Sequence, residues 1–235
     1  MEGKQNKPAA KSAVIDVRQS VTQANDFQAD LIRQDLSAKG IWVLNLVSSP
    51  GAGKTSLIEQ TIKRLGKKEQ VLVIEGDPYT SLDTQRIKAL GASGIQINTQ
   101  GGCHLDAQMI RTALKEVDLE GICVVIIENV GNLLCPADWD LGQHQTVVIA
   151  SPTDGADKPL KYPDAFIRAQ ALVVNKIDLI PYLPPSCAGV EKNAKSVNTT
   201  LTIFNTSCIT GQGLDQWMDW VQKQMSKIKA NISHA

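Results

Sequence analysis

Residues 48–55 have side chains and a spacing that could bind phosphate. They read SSPGAGKT, between the apolar run WVLNLV and the helix-like run LIEQTIKRL. In this setting of strand, glycine-rich loop and helix, backbone N–H groups can point at a phosphate, and the helix adds its positive N-terminal end. Lys54 would reach the β- and γ-phosphate oxygens, and the Thr55 hydroxyl would bind Mg²⁺. The segment therefore predicts a nucleotide site, although Ser48 replaces the usual opening glycine.

A second motif bears on which base is bound. The run ALVVNKIDL is a predicted strand that ends in Asn175, Lys176 and Asp178. A carboxylate at Asp178 can accept from both N1–H and the 2-amino group of guanine, whereas adenine would leave the acid unpaired. Lys176 would lay its stem along the base, and Asn175 would tie the base loop to the phosphate loop. Ser207 and Cys208 resemble a further guanine loop, in which backbone amides meet the base.

The run IIENVGNLLCP places an acid at the end of an apolar strand and a glycine three residues later. In phosphate-loop GTPases an acid at this place addresses Mg²⁺, and the glycine amide senses the γ-phosphate. We therefore expect Glu128 to serve Mg²⁺ and Gly131 to face the γ-phosphate. Asp77 ends another strand and is a second magnesium candidate, with an ordinary Asp-Pro turn as the alternative. The predicted catalytic residues are Lys54, Thr55 and Glu128.

Soft metal ligands occur in two segments. Cys103 and His104 precede the helix-like run DAQMIRTALKEV, and Cys135 follows Gly131 by four residues. A thiolate near a helix N-terminus has a lowered pKa, and two thiolates with an imidazole suit Zn²⁺, Ni²⁺ or Cu⁺. Spacing alone favours a structural Cys-His pair over a metal site.

Composition narrows the class of protein. The 235 residues are 43% hydrophobic, which is enough for a full core. Formal net charge is zero and the pI is about 6.8, so no nucleic-acid partner is expected. No apolar run approaches the ~18 residues needed to cross a membrane, and the N-terminus lacks the apolar centre of a signal peptide. The five cysteines are therefore expected to be thiols or ligands in a cytoplasmic protein.

Apolar, β-branched runs alternate with helical patterns along the chain. This alternation predicts an α/β fold with a doubly wound, mostly parallel sheet, as in a phosphate-loop NTPase. Residues 1–17 are predicted to be a flexible tail, and residues 18–235 a single GTPase domain. The predicted strands lie near 41–47, 70–75, 95–98, 122–128, 145–150, 170–175 and 201–206. The predicted helices lie near 18–38, 54–65, 82–90, 106–117, 160–168, 187–197 and 213–228.

Five segments together resemble one family. GCHLDA, EGDPYTSLDTQRI, IENVGNLLCPADWDLG, DGADKPLKYP and NKIDLIPY are similar to segments of the nickel-insertion GTPases of [NiFe]-hydrogenase maturation, the HypB family. The resemblance runs from about residue 19 to the C-terminus. It implies that Asp77 and Glu128 serve Mg²⁺ together with the phosphate loop. It also implies that Cys103, His104 and Cys135 bind Ni²⁺ or Zn²⁺ at a GTP-linked dimer interface.

The resemblance implies a GTP-hydrolysing metallochaperone that gates nickel insertion. Its partners would be a second copy of the chain on GTP binding, the hydrogenase large-subunit precursor and a nickel-binding maturation partner. One departure is that no cysteine precedes Cys103 and only three histidines are present, so an N-terminal nickel-storage motif is not expected. The expected nucleotide-binding residues are Pro50, Gly51, Ala52, Gly53, Lys54, Thr55, Ser56, Gly131, Asn175, Lys176, Asp178, Ser207 and Cys208.

Two alternative functions stay open at this stage. The related GTPase that serves urease has Cys-Pro-His at its metal site, whereas here Cys103 and His104 are adjacent and Cys135 is distant. A metal-binding adaptor that holds nucleotide without hydrolysing it is the second alternative. An ATP-dependent kinase is disfavoured by Asp178.

Overall fold

The structure, a computed structural model, describes residues 17–66, 69–77 and 82–232, with the backbone alone at 17–21, 77, 82–84 and 231–232. Residues 1–16 of the predicted tail lie outside this part. Their flexibility, and the division into a tail and one GTPase domain, remain predictions.

The described residues form a seven-stranded sheet in which every neighbouring pair of strands is parallel. The predicted α/β fold with a doubly wound sheet is thus confirmed. The strand order is β3-β2-β4-β1-β5-β6-β7. The strands are β1 (Trp42–Ser48), β2 (Gln70–Asp77), β3 (Ser93–Asn98), β4 (Ile122–Glu128), β5 (Gln145–Ala150), β6 (Ala171–Val174) and β7 (Thr202–Asn205).

Two of the predicted helices begin or break at places set by local backbone chemistry. The helix expected over 160–168 is divided in two, because Pro163 lacks an N–H and cannot continue the preceding turn. The helix expected from 187 begins at Val190, after Gly189 with φ 103°. The α-helices are α1 (Val17–Ala38), α2 (Lys54–Leu65), α3 (Leu82–Ala89), α4 (Ala107–Lys115), α5 (Lys158–Lys161), α6 (Pro163–Arg168), α7 (Val190–Val197) and α8 (Leu214–Ile232).

Helices cover both faces of the sheet because successive strand residues point to opposite sides. Alternate residues of the strands pack with α2, α3 and α8 on one face. The intervening residues pack with α1 and α4, or with α6 and α7, on the other face. This burial on both faces explains why the strands are nearly continuous apolar runs. None of the helices in the described ranges is long and apolar enough to cross a membrane.

The topology places the predicted motifs at one edge of the sheet. All strands run the same way, so the loops that follow β1, β2, β4, β6 and β7 emerge together at their carboxyl ends. The connection after β1 leads to α2 on one face, and the neighbouring strands β4 and β5 lie on either side of β1. Ligands of open α/β sheets bind in this kind of crevice.

Candidate functional site

The predicted phosphate loop connects β1 to α2. Gly51 and Gly53 have φ values of 77° and 102°, a backbone conformation that residues with a side chain rarely adopt. Helix α2 begins at Lys54, directly after Gly53. The Lys54 Nζ donates to Ser48 Oγ at 3.0 Å. The ammonium therefore folds back over the loop, at the place where phosphate oxygens would accept from it.

A cavity of about 520 Å³ opens beside this loop. It lies between the phosphate loop and the segment that follows β4, with α3 at one side. Ala52 is fully buried and does not line it. Nine residues expected from the sequence do line it, and they are Pro50, Gly51, Gly53, Lys54, Thr55, Ser56, Glu128, Gly131 and Lys176.

Asn175 joins the loops around the base end of the site. Its Nδ2 donates to the Ala52 carbonyl at 3.2 Å, and its Oδ1 accepts from the Cys208 N–H at 3.3 Å. The side chain is 1% exposed, so these hydrogen bonds are shielded from water. The predicted tie between the base loop and the phosphate loop is present through the backbone of Ala52.

The residues predicted to recognise guanine lie where β6 ends. Lys176 has φ 63°, and its Nζ donates to the Gly51 carbonyl at 2.6 Å. The Oδ1 atom of Asp178 is buried and has no hydrogen-bond partner among the described residues. A buried acceptor without a donor is unfavourable, and two donors on a bound guanine would satisfy it.

The expected backbone donors of the last loop are engaged within the protein. The Ser207 N–H donates to the Gln212 carbonyl at 3.0 Å, and the Cys208 N–H donates to Asn175. This loop therefore holds the Asn175 side chain in place through the Cys208 N–H. Base contact by Ser207 and Cys208 remains a prediction.

The magnesium candidates form an oxygen-rich pair at the phosphate end. The Thr55 Oγ1 donates to Glu128 Oε1 at 2.7 Å, and Glu128 is 7% exposed at the end of β4. A hydroxyl and a carboxylate are ligands that Mg²⁺ prefers, so these residues fit the ion. Asp77 ends β2, but its side chain lies outside the described part of the structure.

Cys103, His104 and Cys135 lie in the same region, as the soft-ligand prediction requires. The Cys103 Sγ is 3.6 Å from His104 Nδ1, and Cys103 also shares a side-chain hydrogen bond with Cys135. His104 stacks on Trp139 with ring centroids 4.4 Å apart, and burial lowers the pKa of its imidazole. Within the described ranges, however, no group of three or more His, Cys, Asp or Glu is arranged to hold a metal ion.

The expected lowering of the Cys103 pKa is wrong. The hydrogen bond with Cys135 is the main cause that raises the pKa of Cys103, because it favours the protonated thiol. The N-terminus of α4 does not offset this effect. Its Met109 N–H is already capped at 2.7 Å by the carboxylate of Asp106.

The segment that follows β4 contacts both the phosphate loop and the loop that carries Cys103. Gly131 packs against the phosphate loop so closely that a Cβ added there would lie 3.2 Å from Pro50 Cγ. The next residue, Asn132, has its Nδ2 3.5 Å from the Cys103 carbonyl. Four residues beyond Gly131, Cys135 begins a short 3₁₀ helix, Cys135–Asp138. One segment thus connects the phosphate-loop cavity to the predicted soft ligands.

Comparison with known proteins gives the family. The model of the CobW/HypB/UreG nucleotide-binding domain matches residues 42–205. Hydrogenase maturation factor HypB of Azotobacter vinelandii is 44% identical over 225 residues, which cover 95% of this chain and 74% of the relative. This chain belongs to the HypB family. Its members are hydrogenase maturation factors, and the resemblance expected from the five motifs is confirmed.

Two solved structures of the HypB family superpose on the chain. HypB from Helicobacter pylori, in complex with nickel, is 33% identical with a TM-score of 0.79, and covers 87% of this chain and 96% of that one. HypB from Archaeoglobus fulgidus is 34% identical with a TM-score of 0.80, and covers 86% and 99%. The HypB fold therefore extends over most of the chain.

Three charged or polar residues of the cavity were not expected from the sequence. Glu75 is 2% exposed and lies opposite Glu128 in the register of β2 and β4. Arg86 reaches the cavity from α3, and Asn129 lies between Glu128 and Gly131 in the segment that follows β4. Glu75 belongs to the same EGD run as Asp77, the acid predicted from the sequence to serve Mg²⁺.

Gly53→Ala is expected to weaken GTP binding strongly. An added Cβ would lie 2.3 Å from Asn175 Nδ2 at a backbone with φ 102°, and a strained residue costs about 1–3 kcal/mol before any clash. The Asn175 amide would have to move, taking the Ala52 contact with it. We expect at least a ~10-fold loss of GTP affinity, equal to ~1.4 kcal/mol, measured by calorimetry.

Gly66→Ala is the matched control at the other end of α2. Gly66 also has a positive φ, 71°, but no atom lies within 4 Å of an added Cβ. This variant should lose stability in thermal unfolding and keep its GTP affinity. Equal GTP affinities for Gly53→Ala and Gly66→Ala would contradict the role given to Asn175.

Proposed function

We propose that this chain is a GTP-hydrolysing metallochaperone that gates nickel insertion into the precursor of a [NiFe]-hydrogenase. The observation that carries the proposal is the continuity of residues 128–135. This segment holds a magnesium-type acid, Glu128, and the glycine beside the phosphate loop, Gly131. It then contacts Cys103 through Asn132 and ends at Cys135. A change at the γ-phosphate would therefore move one soft ligand relative to the other two.

In the nucleotide half of the site, some residues would bind and position GTP, and others would hold Mg²⁺. Lys54 and the backbone N–H groups of the loop would bind the phosphates, and Asp178 would select guanine. Thr55 and Glu128 would hold Mg²⁺, with Asp77 as the further acid. When bound, this ion would neutralise charge on the β- and γ-phosphate oxygens. Hydrolysis that rests on positioning alone is expected to be slow until a second subunit or a partner completes the site.

The metal half of the site is proposed to be shared between two copies of the chain. Cys103, His104 and Cys135 supply two thiols and an imidazole, a soft set that suits Ni²⁺ or Zn²⁺. The three do not form a complete site within the described part of one chain. A homodimer formed on GTP binding would bring a second set of ligands to the same metal. Nickel is the cargo in this scheme.

The proposed partners follow from the cargo. A nickel-binding maturation protein would load the site, and the hydrogenase large-subunit precursor would receive the metal, in the cytoplasm. The urease alternative is less well supported, because Cys103 and His104 are adjacent and no proline separates them.

Genetic complementation tests the function. The chain is expressed in a bacterium that has both a nickel hydrogenase and urease and lacks its own HypB-family gene. Wild type should restore hydrogenase activity and the nickel content of the large subunit, and Thr55→Ala should not. Restoration of urease alone would favour the urease-type alternative. Full restoration by Thr55→Ala would instead favour the non-catalytic adaptor.

Cys135→Ala is expected to weaken nickel binding and spare nucleotide binding. Its thiol is a proposed ligand, and removal of even a supporting group around a metal typically costs about 10–100-fold in affinity. We expect at least a ~10-fold loss of Ni²⁺ affinity by chelator competition. GTP affinity should stay at the wild-type value.

Cys123→Ala is the control for thiol loss. Cys123 lies at the start of β4, where its thiol contacts Glu69, and burial raises its pKa. That position is at the opposite end of β4 from Glu128. Its removal should leave Ni²⁺ affinity unchanged. Equal Ni²⁺ affinities in Cys135→Ala and wild type would exclude Cys135 as a ligand.

A further inference from the structure

Arg86 of α3 lines the same cavity as the phosphate loop, and none of the sequence motifs assigns it a role. The Arg86 Nε donates to Glu59 Oε1 of α2 at 2.8 Å. The arginine side chain is 50% exposed, whereas that of Glu59 is 18% exposed. A partly buried carboxylate therefore holds one edge of the guanidinium while the side chain faces the open cavity.

The strand order places Arg86 at the phosphate end of the nucleotide. Asn175 and Asp178 follow β6, to one side of β1, and define the base end. Strands β4 and β2 lie on the other side of β1, and α3 follows β2. Arg86 therefore lies on the far side of Glu128 from the base. A triphosphate that crosses the loop from the base end would extend its terminal phosphate toward this side.

The charges of the cavity favour a contact between Arg86 and a phosphate. Among the described residues, its charged lining consists of Lys54, Arg86 and Lys176 on the positive side and Glu75 and Glu128 on the negative side. Mg²⁺ would occupy the carboxylates, and Lys176 is committed to the Gly51 carbonyl at the base end. Lys54 and Arg86 are the other cations of this described lining, and a triphosphate tail in the cavity would lie beside them. The planar guanidinium matches two phosphate oxygens at once, which the point charge of a lysine cannot do.

We propose that Arg86 is a further phosphate-contacting residue, which donates to the terminal phosphate of bound GTP. Glu59 is its positioning residue and acts through the Arg86 Nε–H. The proposal rests on the GTPase function proposed above. It predicts that Arg86 distinguishes GTP from GDP. A purely structural ion pair between α2 and α3 would instead support both nucleotides equally.

The test compares Arg86→Ala, Arg86→Lys and Glu59→Gln with wild type. The affinities for GTPγS and GDP are measured with Mg²⁺ present, together with single-turnover GTP hydrolysis. Arg86→Ala should lose at least ~10-fold in GTPγS affinity, with GDP affinity unchanged, and ~100-fold in hydrolysis. Arg86→Lys should recover part of the GTPγS affinity. Glu59→Gln should slow hydrolysis less than Arg86→Ala and leave GDP binding intact.

Lys88→Ala on the same helix is the control. Lys88 is exposed and belongs to the last turn of α3, so its loss should leave the affinities for GTPγS and GDP unchanged. Equal losses of GTPγS and GDP affinity in Arg86→Ala would show a purely structural ion pair and overturn the proposal. A wild-type rate of GTP hydrolysis in Arg86→Ala would also overturn it. If Arg86→Ala fails to fold, the same two criteria apply to Arg86→Lys and Glu59→Gln. Failure of the wild-type chain to bind or hydrolyse GTP would overturn the proposed function itself.

Discussion

Asp178→Asn is expected to change the preferred nucleotide from GTP to xanthosine triphosphate. The Asp178 Oδ1 is a buried acceptor with no hydrogen-bond partner in the described part of the chain, so a bound guanine would supply donors that these residues do not. An amide in its place can donate to the 2-oxo group of xanthine. A site built to hydrogen-bond one group rejects an analogue without it by about 10⁴–10⁵-fold. We expect wild type to prefer GTP to ATP by several kcal/mol, measured by calorimetry.

Asp164→Asn is the control for charge loss. Asp164 is exposed in the first turn of α6, and its replacement should leave the nucleotide preference unchanged. The guanine assignment would be wrong if wild type bound ATP and GTP equally. It would also be wrong if Asp178→Asn kept the wild-type preference for GTP over xanthosine triphosphate.

Lys54→Ala is expected to abolish detectable GTP hydrolysis. The Lys54 ammonium stands over the phosphate loop and donates to Ser48 Oγ at 3.0 Å. Its charge would stabilise the phosphoryl group whose negative charge spreads during transfer. Removal of one such donor lowers kcat by about 10²–10³-fold, which would place an already slow reaction below detection. Phosphate release under single-turnover conditions measures the effect.

Lys63→Ala is the matched control on the same helix. Lys63 is exposed in the last turn of α2, away from the loop. Both variants should have the same thermal unfolding midpoint as wild type in the absence of nucleotide. A wild-type hydrolysis rate in Lys54→Ala would show that Lys54 is not a catalytic residue.

The order and type of the elements followed from local patterns. Strands buried on both faces must be apolar at nearly every position, so the runs around β1, β4 and β6 were distinct from the amphipathic helices. The exceptions were also local. Pro163 divides one predicted helix, and Gly189 delays another.

Site residues that belong to a local sequence motif could be predicted. Site residues that reach the cavity only through packing between distant elements could not. Lys54 and Thr55 follow from the phosphate-loop motif, and Glu128 follows from its position at the end of a predicted strand. Arg86 reaches the cavity only because α3 packs beside α2, which no spacing along the chain reveals. The raised pKa of Cys103 likewise depends on Cys135, which lies on a different loop.

Nucleotide-dependent nickel affinity tests the central claim most directly. Residues 128–135 connect Gly131, which is proposed to face the γ-phosphate, to Cys135, so the ligand set should be complete in only one nucleotide state. Ni²⁺ affinity is measured for the GDP-bound and the GTPγS-bound protein. We expect the two to differ by about 5–150-fold, or ~1–3 kcal/mol, and Ni²⁺ to shift the relative affinity for the two nucleotides by the same factor. Identical Ni²⁺ affinities in the two states would contradict nucleotide-gated delivery.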